Sequence, residues 1–295
     1  MGGSNKTEAM GPWIISMITD FIEKSPENTL QNINQEKAFD KPLVGFSNGA
    51  DPLFQKYKDF IGPFHWTPQE IFALTFPDKA ISAQDLTVIS WILPQTKASK
   101  TDNRKEKIYP AERWARARIF GEEVNVKLRR LIVSALEEKG MAAVAPMLSP
   151  LWERKDSNQF VFASNWSERH AAYSAGLGTF GLCDGLITPL GKAIRCGSVV
   201  ADLVIPATPR PYRHHKANCL YYARGVCGKC IDRCPVGALS KAGHVKLKCQ
   251  DHIHITAEAY VKEHYGFDGF GCGLCQTGVP CESRNPIKPE SDSSL

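Results

Sequence analysis

The chain has 295 residues, 43% hydrophobic, 9% aromatic and 23% charged, a globular balance that excludes wholesale disorder. Its formal net charge of +5 decides nothing about partners by itself. No run approaches the ~18 uninterrupted apolar residues of a membrane span. The start, Met1-Gly2-Gly3-Ser4-Asn5-Lys6, shows neither a secretory pattern nor a twin-arginine pair, so a cytoplasmic protein is expected.

Trp13 to Lys24 has the alternation of an amphipathic helix. Residues 25–65 read as loop-rich, with Asp51-Pro52 and Gly62-Pro63 as turn signals. Thr67-Pro68-Gln69-Glu70 combines an N-cap, a first-turn proline and an acid, and opens a short helix. Leu86 to Leu93 is rich in β-branched and aromatic residues and stops at Pro94, as a buried strand does. Ser99 to Lys107 is charged and poor in apolar residues, which predicts a loop. Between Pro110 and Gly140, Trp114, Phe120, Val124, Leu128, Leu131, Ala135 and Leu136 recur at roughly helical spacing; Arg113, Arg116, Arg129 and Arg130 fit its solvated face. Ala142 to Pro146 and Gly197 to Ile205 suit strands. Helices alternating with buried strands predict an α/β or α+β layer arrangement.

Next comes Glu168-Arg169-His170-Ala171-Ala172-Tyr173-Ser174-Ala175-Gly176-Leu177-Gly178-Thr179-Phe180-Gly181. Gly176-x-Gly178-x2-Gly181 has the spacing of a dinucleotide fingerprint, but a helical pattern precedes it where a strand should, which argues against NAD. Glycines there still let backbone approach a large ligand closely. Pro206, Pro209 and Pro211, with Arg210, Arg213, His214, His215 and Lys216, break the regularity and read as a solvated linker, placing a domain boundary between 1–205 and 206–295.

Of ten cysteines, only Cys183 and Cys196 precede Cys219. The remainder run Cys219-x7-Cys227-x2-Cys230-x3-Cys234-Pro235, then Cys249, then Cys272-x2-Cys275-x5-Cys281. Disulfide scaffolds are short and secreted, so reduced cysteines packed this way read as metal ligands. The bacterial two-cluster pattern is Cys-x2-Cys-x2-Cys-x3-Cys-Pro, whose fourth cysteine serves the other cluster. Cys227, Cys230 and Cys234 fit its last three positions, and Cys219 replaces the first after an insertion. By that crossing, Cys219, Cys227, Cys230 and Cys281 hold one [4Fe–4S] cluster, and Cys234, Cys249, Cys272 and Cys275 the other. A pair of zinc sites is the alternative; the x3 spacing, the proline and the count of eight favour iron–sulfur. Each four-thiolate cluster carries a net charge of about −2, so two bring the chain near neutrality.

Glu-Arg-x2-Ala-x2-Ala-Gly-Leu-Gly-x2-Gly, then Ile187-Thr188-Pro189-x-Gly191-x3-Arg195, then the double cysteine array, resembles the epoxyqueuosine reductases and the related reductive dehalogenases from about residue 165 to 281. The resemblance implies a nitroreductase-like α/β domain that binds cobalamin over 1–205, followed by a ferredoxin-like domain with two [4Fe–4S] clusters. It also implies that Ala175, Gly176, Leu177, Gly178 and Gly181, with Ile187, Thr188 and Pro189, lie against the corrin ring. An external low-potential donor of the ferredoxin or flavodoxin type would supply electrons.

Two departures stand out. Ala143 occupies the position where epoxyqueuosine reductases carry a proton-donating acid, and the sequence stops soon after the second cysteine motif, without a helical-repeat extension. Both argue against tRNA as the substrate and toward a small organic molecule. The twin-arginine signal usual in dehalogenases is absent as well. Candidate proton donors are Tyr173, His170 and Arg195. Cys183 and Cys196 are either small core hydrophobes or a thiolate ligand to cobalt, and His252 and His254 read as packing or surface residues. Three functions stand: a corrinoid-dependent reductase, a corrinoid-reducing or corrinoid-carrying protein serving another enzyme, and a plain electron-transfer protein.

Overall fold

A computed structural model describes residues 4–287. Helix α1 (Ser4–Lys24) contains the expected amphipathic segment and buries Ile14, Ile18 and Ile22 on one face. The stretch expected to be loop-rich holds strand β1 (Leu43–Asn48) and helix α2 (Pro52–Ile61). Asp51-Pro52, read as a turn, is the start of α2: the Asp51 carboxylate accepts from the Leu53 N–H and Pro52 takes the first turn. Helix α3 (Pro68–Thr75) opens with the expected cap, a reciprocal capping box between Thr67 and Glu70.

Strand β2 (Leu86–Pro94) is buried at all nine positions. The predicted loop after it is helix α4 (Lys97–Lys105), and α5 (Glu112–Glu137) is the longest helix, ending before Gly140. Strand β3 (Ala143–Val144) is followed by the hairpin β4 (Arg154–Ser157) and β5 (Val161–Ser164), then α6 (Glu168–Ser174). Strands β6 (Thr179–Phe180) and β7 (Leu186–Ile187) pair with each other, and β8 (Ile194–Asp202) returns to the main sheet. The cysteine-rich region carries short helices α7 (Leu220–Arg224) and α8 (Lys229–Asp232), the two-stranded ribbon β9 (Leu239–Ser240) and β10 (Gly243–His244), α9 (Lys246–Asp251), a π-helical turn over His252–Ala257, and α10 (Glu258–Tyr265).

The main sheet has the order β1-β2-β8-β3 with every neighbour antiparallel. Both faces are covered, which explains the unbroken apolar run of β2. Ile89, Trp91 and Leu93, with Val199 and Ala201, face α1 and α5; Leu86, Val88 and Val200 face Phe54, Tyr57, Ile71, Phe72 and Trp166 on the other side. Each fully buried Leu, Ile or Phe contributes roughly 1.5–3 kcal/mol, so these two layers hold the α/β architecture together. No helix among the described residues is long and apolar enough to cross a membrane.

Two expectations are corrected by packing. Arg129 is 1% exposed, pairing with Glu122 at 2.9 Å and Glu168 at 3.1 Å beneath α6; Arg113 and Arg116 also pair with carboxylates, while Arg130 alone of the four stays exposed. The proline-rich tract is solvated over most of its length, as expected, but it is tethered at defined points and is no free linker. The Thr208 N–H donates to the Phe46 carbonyl at 2.9 Å and its hydroxyl accepts from the Phe46 N–H at 2.9 Å; Arg210 pairs with Asp51, and the Tyr212 hydroxyl donates to the Tyr173 carbonyl at 2.8 Å. The tract pins the start of the cysteine-rich region onto β1 and α6.

Candidate functional site

The cysteines gather in two neighbouring groups. A small cavity of about 20 Å³ is lined by Cys219, Cys227, Cys230 and Cys281, together with Leu182, Ile187, Tyr221 and Lys192. Cys219 caps α7 and is held by its flank: the Asn218 side chain donates to the Ile187 carbonyl at 2.8 Å and its N–H to the Thr179 hydroxyl at 2.8 Å. Cys227 has φ +89°, a conformation that costs a non-glycine residue roughly 1–3 kcal/mol and that turns the chain into the short helix carrying Cys230. Cys281 arrives by backbone pairing, the Lys192 N–H donating to its carbonyl at 2.8 Å.

In the second group Cys272 faces Cys249 and Cys234, and Cys275 faces Cys272. The Cys234 sulfur accepts from the Ala238 N–H at 3.2 Å, the turn that Pro235 and Gly237 make possible. Among the described residues no three His, Cys, Asp or Glu side chains converge tightly enough to grip one metal ion; tetrahedral zinc needs its sulfurs at about 2.3 Å from a shared centre. Four cysteines lining one small cavity are the donor set of an iron–sulfur core. Burial pushes the Cys272 thiol up to about 12 and Cys281 to about 11, so metal must displace their protons at neutral pH.

Between the groups lie two residues with no place in the sequence-based ligand sets. Cys183 sits beside Cys230 of one group and Cys275 of the other, and the Lys192 ammonium donates to its sulfur at 3.2 Å. Lys192 is 3% exposed. Burial opposes its charge, yet the Cys183, Cys281, Cys275 and Cys230 sulfurs outweigh that and hold its pKa above the ordinary lysine value. A buried ammonium faced only by sulfur is stable when those sulfurs carry negative charge. Thiolates bound to an iron–sulfur core would supply that charge, and the four cysteines lining the cavity are a donor set that fits such a cluster. Lys192 was missed in the sequence; its position right after the Thr188–Gly191 turn was the available signal. Gly191 has φ +85° there, and a Cβ would lie 2.2 Å from the Glu282 carbonyl oxygen, so only glycine lets the two segments meet.

His170 and Tyr173 share one face of α6, both against Phe180, with ring centroids at 4.8 and 5.8 Å. Burial, with His65 and Arg169 nearby, holds the His170 imidazole well below its usual pKa, so it is neutral at pH 7 and poorly suited as an acid. Burial raises Tyr173, which stays protonated and stacks on Tyr212 at 5.4 Å. Arg195 lies apart on β8, donating to the Arg118 carbonyl at 3.2 Å; among the described residues no hydrogen bond or ring contact joins it to His170 or Tyr173. Burial pushes the Cys196 thiol up to about 12, so it is a neutral thiol in the metal-free protein. His252 is buried on the Ile108 carbonyl at 3.0 Å and His254 sits half-exposed near Glu258, as expected for packing and surface residues.

The segments expected against a corrin ring are filled by the chain itself. A Cβ on Gly176 would meet the Pro209 carbonyl oxygen at 2.5 Å, and one on Gly178 the Ile187 carbonyl oxygen at 2.6 Å. Ala175, Leu177, Ile187 and Thr188 are buried, and only Pro189 is exposed. The N–H groups of Ala175, Gly176, Leu177, Gly181 and Thr188 donate to Ala171, Tyr173, Ala172, Gly185 and Gly191. The glycines serve close packing of protein backbone, and in this arrangement these residues do not fit a corrin platform.

No family model matches the chain. It is 30% identical to epoxyqueuosine reductases of Bacillus cereus and Bacillus anthracis over 119 residues, 39% of this chain and 29% of theirs. A crystal structure of epoxyqueuosine reductase with an epoxyqueuosine-modified tRNA-Tyr stem loop matches 93% of this chain and 65% of its own, with 15% identity and a TM-score of 0.50. The resemblance to the epoxyqueuosine reductases holds in sequence and in fold. A catabolic reductive dehalogenase in complex with 3-bromo-4-hydroxybenzoic acid matches 94% of this chain and 37% of its own, with 16% identity and a TM-score of 0.49. The chain thus spans less than a third of the length of the curated relatives it matches.

Proposed function

We propose that this protein is an iron–sulfur oxidoreductase of the epoxyqueuosine reductase type. Cys219, Cys227, Cys230 and Cys281 hold one [4Fe–4S] cluster and Cys234, Cys249, Cys272 and Cys275 a second, within a ferredoxin-like region spanning 206–295 that docks on the α/β domain of 1–205. The observation that carries this reading is the cysteine array itself: Cys219, Cys227, Cys230 and Cys281 line one cavity, and Cys219, Cys230 and Cys281 pack in one hydrophobic cluster with Cys234 and Cys275. Bound clusters supply one-electron transfer, fed by a low-potential donor of the ferredoxin or flavodoxin type. The chain's own part is to space the thiols, to line the site with the apolar Leu182, Ile187 and Tyr221, and to hold a protonated Tyr173 on the α/β side as the proton source for a reduced substrate.

Cobalamin enters this proposal on the sequence similarity alone, because the residues named for it are packed against protein. Ala143 is buried and paired with Ala201, so no acid stands on β3. A small organic substrate and a tRNA stem loop are therefore both tested, the latter because a structure of the same fold holds one. Anaerobic reconstitution with iron, sulfide and hydroxocobalamin, then gel filtration, metal analysis and EPR, separates the readings. About eight irons per chain support the proposal; stoichiometric zinc with no iron refutes it. Cobalt retained at about one per chain assigns a corrinoid-dependent reductase, and its loss leaves an electron-transfer protein or a reductase of another acceptor.

A further inference from the structure

We infer that Lys192, anchored by Cys183, is a fixed positive charge between the two cysteine quartets that raises the reduction potentials of the clusters they hold. The inference rests on the iron–sulfur reading above. Lys192 lines the cavity of the first quartet, and the Cys183 it bonds to packs in one hydrophobic cluster with Cys275 of the second. Its ammonium donates to Cys183 at 3.2 Å, and Cys183 packs in that cluster with Cys230 and Cys275, one residue from each quartet. The Lys192 backbone is fixed as well, through its N–H on the Cys281 carbonyl and the neighbouring Ala193 N–H on the Glu282 carbonyl at 3.2 Å. Cys183 is thereby a ninth sulfur in the array but a lysine anchor, not an iron ligand.

The direction of the effect follows from charge. Accepting an electron adds one negative charge to a cluster that is already anionic, in surroundings where interactions are weakly screened. A buried cation at fixed distance favours that reduced form. Standing between the quartets, Lys192 acts on both and offsets the repulsion between two reduced clusters. No carboxylate pairs with Lys192 among the described residues, so its charge is directed entirely at sulfur.

The test uses the full chain, anaerobically reconstituted with iron and sulfide, as wild type, Lys192→Met, Lys192→Arg and Cys183→Ser. Iron and sulfide are counted, and midpoints are measured by potentiometric titration with dithionite, followed by EPR. We expect Lys192→Met to keep its iron while the reduced-to-oxidised ratio at the wild-type midpoint falls at least tenfold, 59 mV for a one-electron couple. Lys192→Arg is expected to stay within threefold of wild type, and Cys183→Ser to keep all its iron. If Lys192→Met fails to assemble while Lys192→Arg holds clusters at the wild-type midpoint, the charge is required and the inference stands. A fully loaded Lys192→Met with an unmoved midpoint overturns it, as does an equal shift in Lys192→Arg, a loss of clusters in both, or iron loss in Cys183→Ser. A wild-type chain that takes up no iron overturns the iron–sulfur reading itself, a result distinct from these.

Discussion

Arg129→Met is the sharpest probe of how the α/β layers are held. In the fold, Arg129 is buried under α6; its guanidinium donates to Glu122 Oε1 at 2.9 Å and to Glu168 Oε1 at 3.2 and 3.1 Å. Burial pushes the Glu168 carboxyl up, while Arg129 and the Ser198 hydroxyl pull it back toward the charged form. Ser198 in turn accepts from the Trp166 indole N–H at 3.0 Å, so the network joins α5, α6 and β8. Methionine keeps much of the arginine stem volume but leaves Glu168 unpaired in the interior, a change that costs about 3–5 kcal/mol. Unfolding entropy of ~2.1 cal/mol/K per residue, over 295 residues, makes that a drop of about 5–8 °C in Tm. Thermal and urea unfolding by circular dichroism measure it directly. A Tm within 2 °C of wild type would refute the claim that the pair is a structural member. Adding Glu168→Gln to Arg129→Met should restore part of the loss, since it removes the stranded charge.

Cys281→Ser and Cys275→Ser should each lower bound iron from about eight toward about four per chain, the first removing one cluster's EPR signal and the second the other's; identical spectra in the two variants would break the crossed assignment. Burial lowers the His65 pKa to about 4 against an ordinary 6.5. The unfolded chain then binds a proton that the folded one refuses, and stability falls as pH drops from 6.5 to 4, by about 3 kcal/mol from this residue. Urea unfolding at pH 7 and pH 5 checks it, and His65→Gln should flatten the difference. Asn103→Ala should cost about 1–3 kcal/mol by orphaning the groups it satisfies, with a selective loss of iron from the quartet containing Cys272; loss spread equally over both quartets would count against it.

The parts of the fold with simple periodicity were legible. Strand β2 and helix α5 announce themselves because a strand buried on both faces is apolar throughout and a long helix repeats its core residues. The short cysteine spacings were legible as candidate ligand sets, and Cys219, Cys227, Cys230 and Cys281 do line one cavity. What escaped was structure made by distant partners. The glycines of residues 176–181 signal close approach, but only the fold shows that Pro209 and Ile187, and not a ligand, make it. Arg129 looked like a surface charge because Glu168, its partner 39 positions away, is invisible to helical periodicity. For Lys192 the only signal was its place right after the Thr188–Gly191 turn, since its surroundings are cysteines contributed by separate segments.

Helix α4 shows why such a polar segment is ordered. Composition predicts a loop over Ser99–Lys107, yet most of it lies in helix α4, whose polar groups are spent on the cysteine-rich region. The fully buried Asn103 side chain donates to the Cys272 carbonyl at 3.2 Å and the Thr277 hydroxyl at 3.1 Å, and accepts from the Ala111 N–H at 3.0 Å. Arg233, one residue before Cys234, donates back to the Asn103 carbonyl at 3.0 Å and the Glu106 carbonyl at 2.8 Å, and Arg104 pairs with Glu282, next to Cys281. Three cysteines drawn from both quartets are thus fixed from one helix of the α/β layers. Apolar burial orders most helices by exposing one face to a core; here the ordering force is a set of hydrogen bonds, each worth about 0.5–1.5 kcal/mol net, that exists only once the cysteine-rich region is docked. The α/β layers and the cysteine array therefore order one another, which places the spacing of the two quartets under the control of residues far from any sulfur.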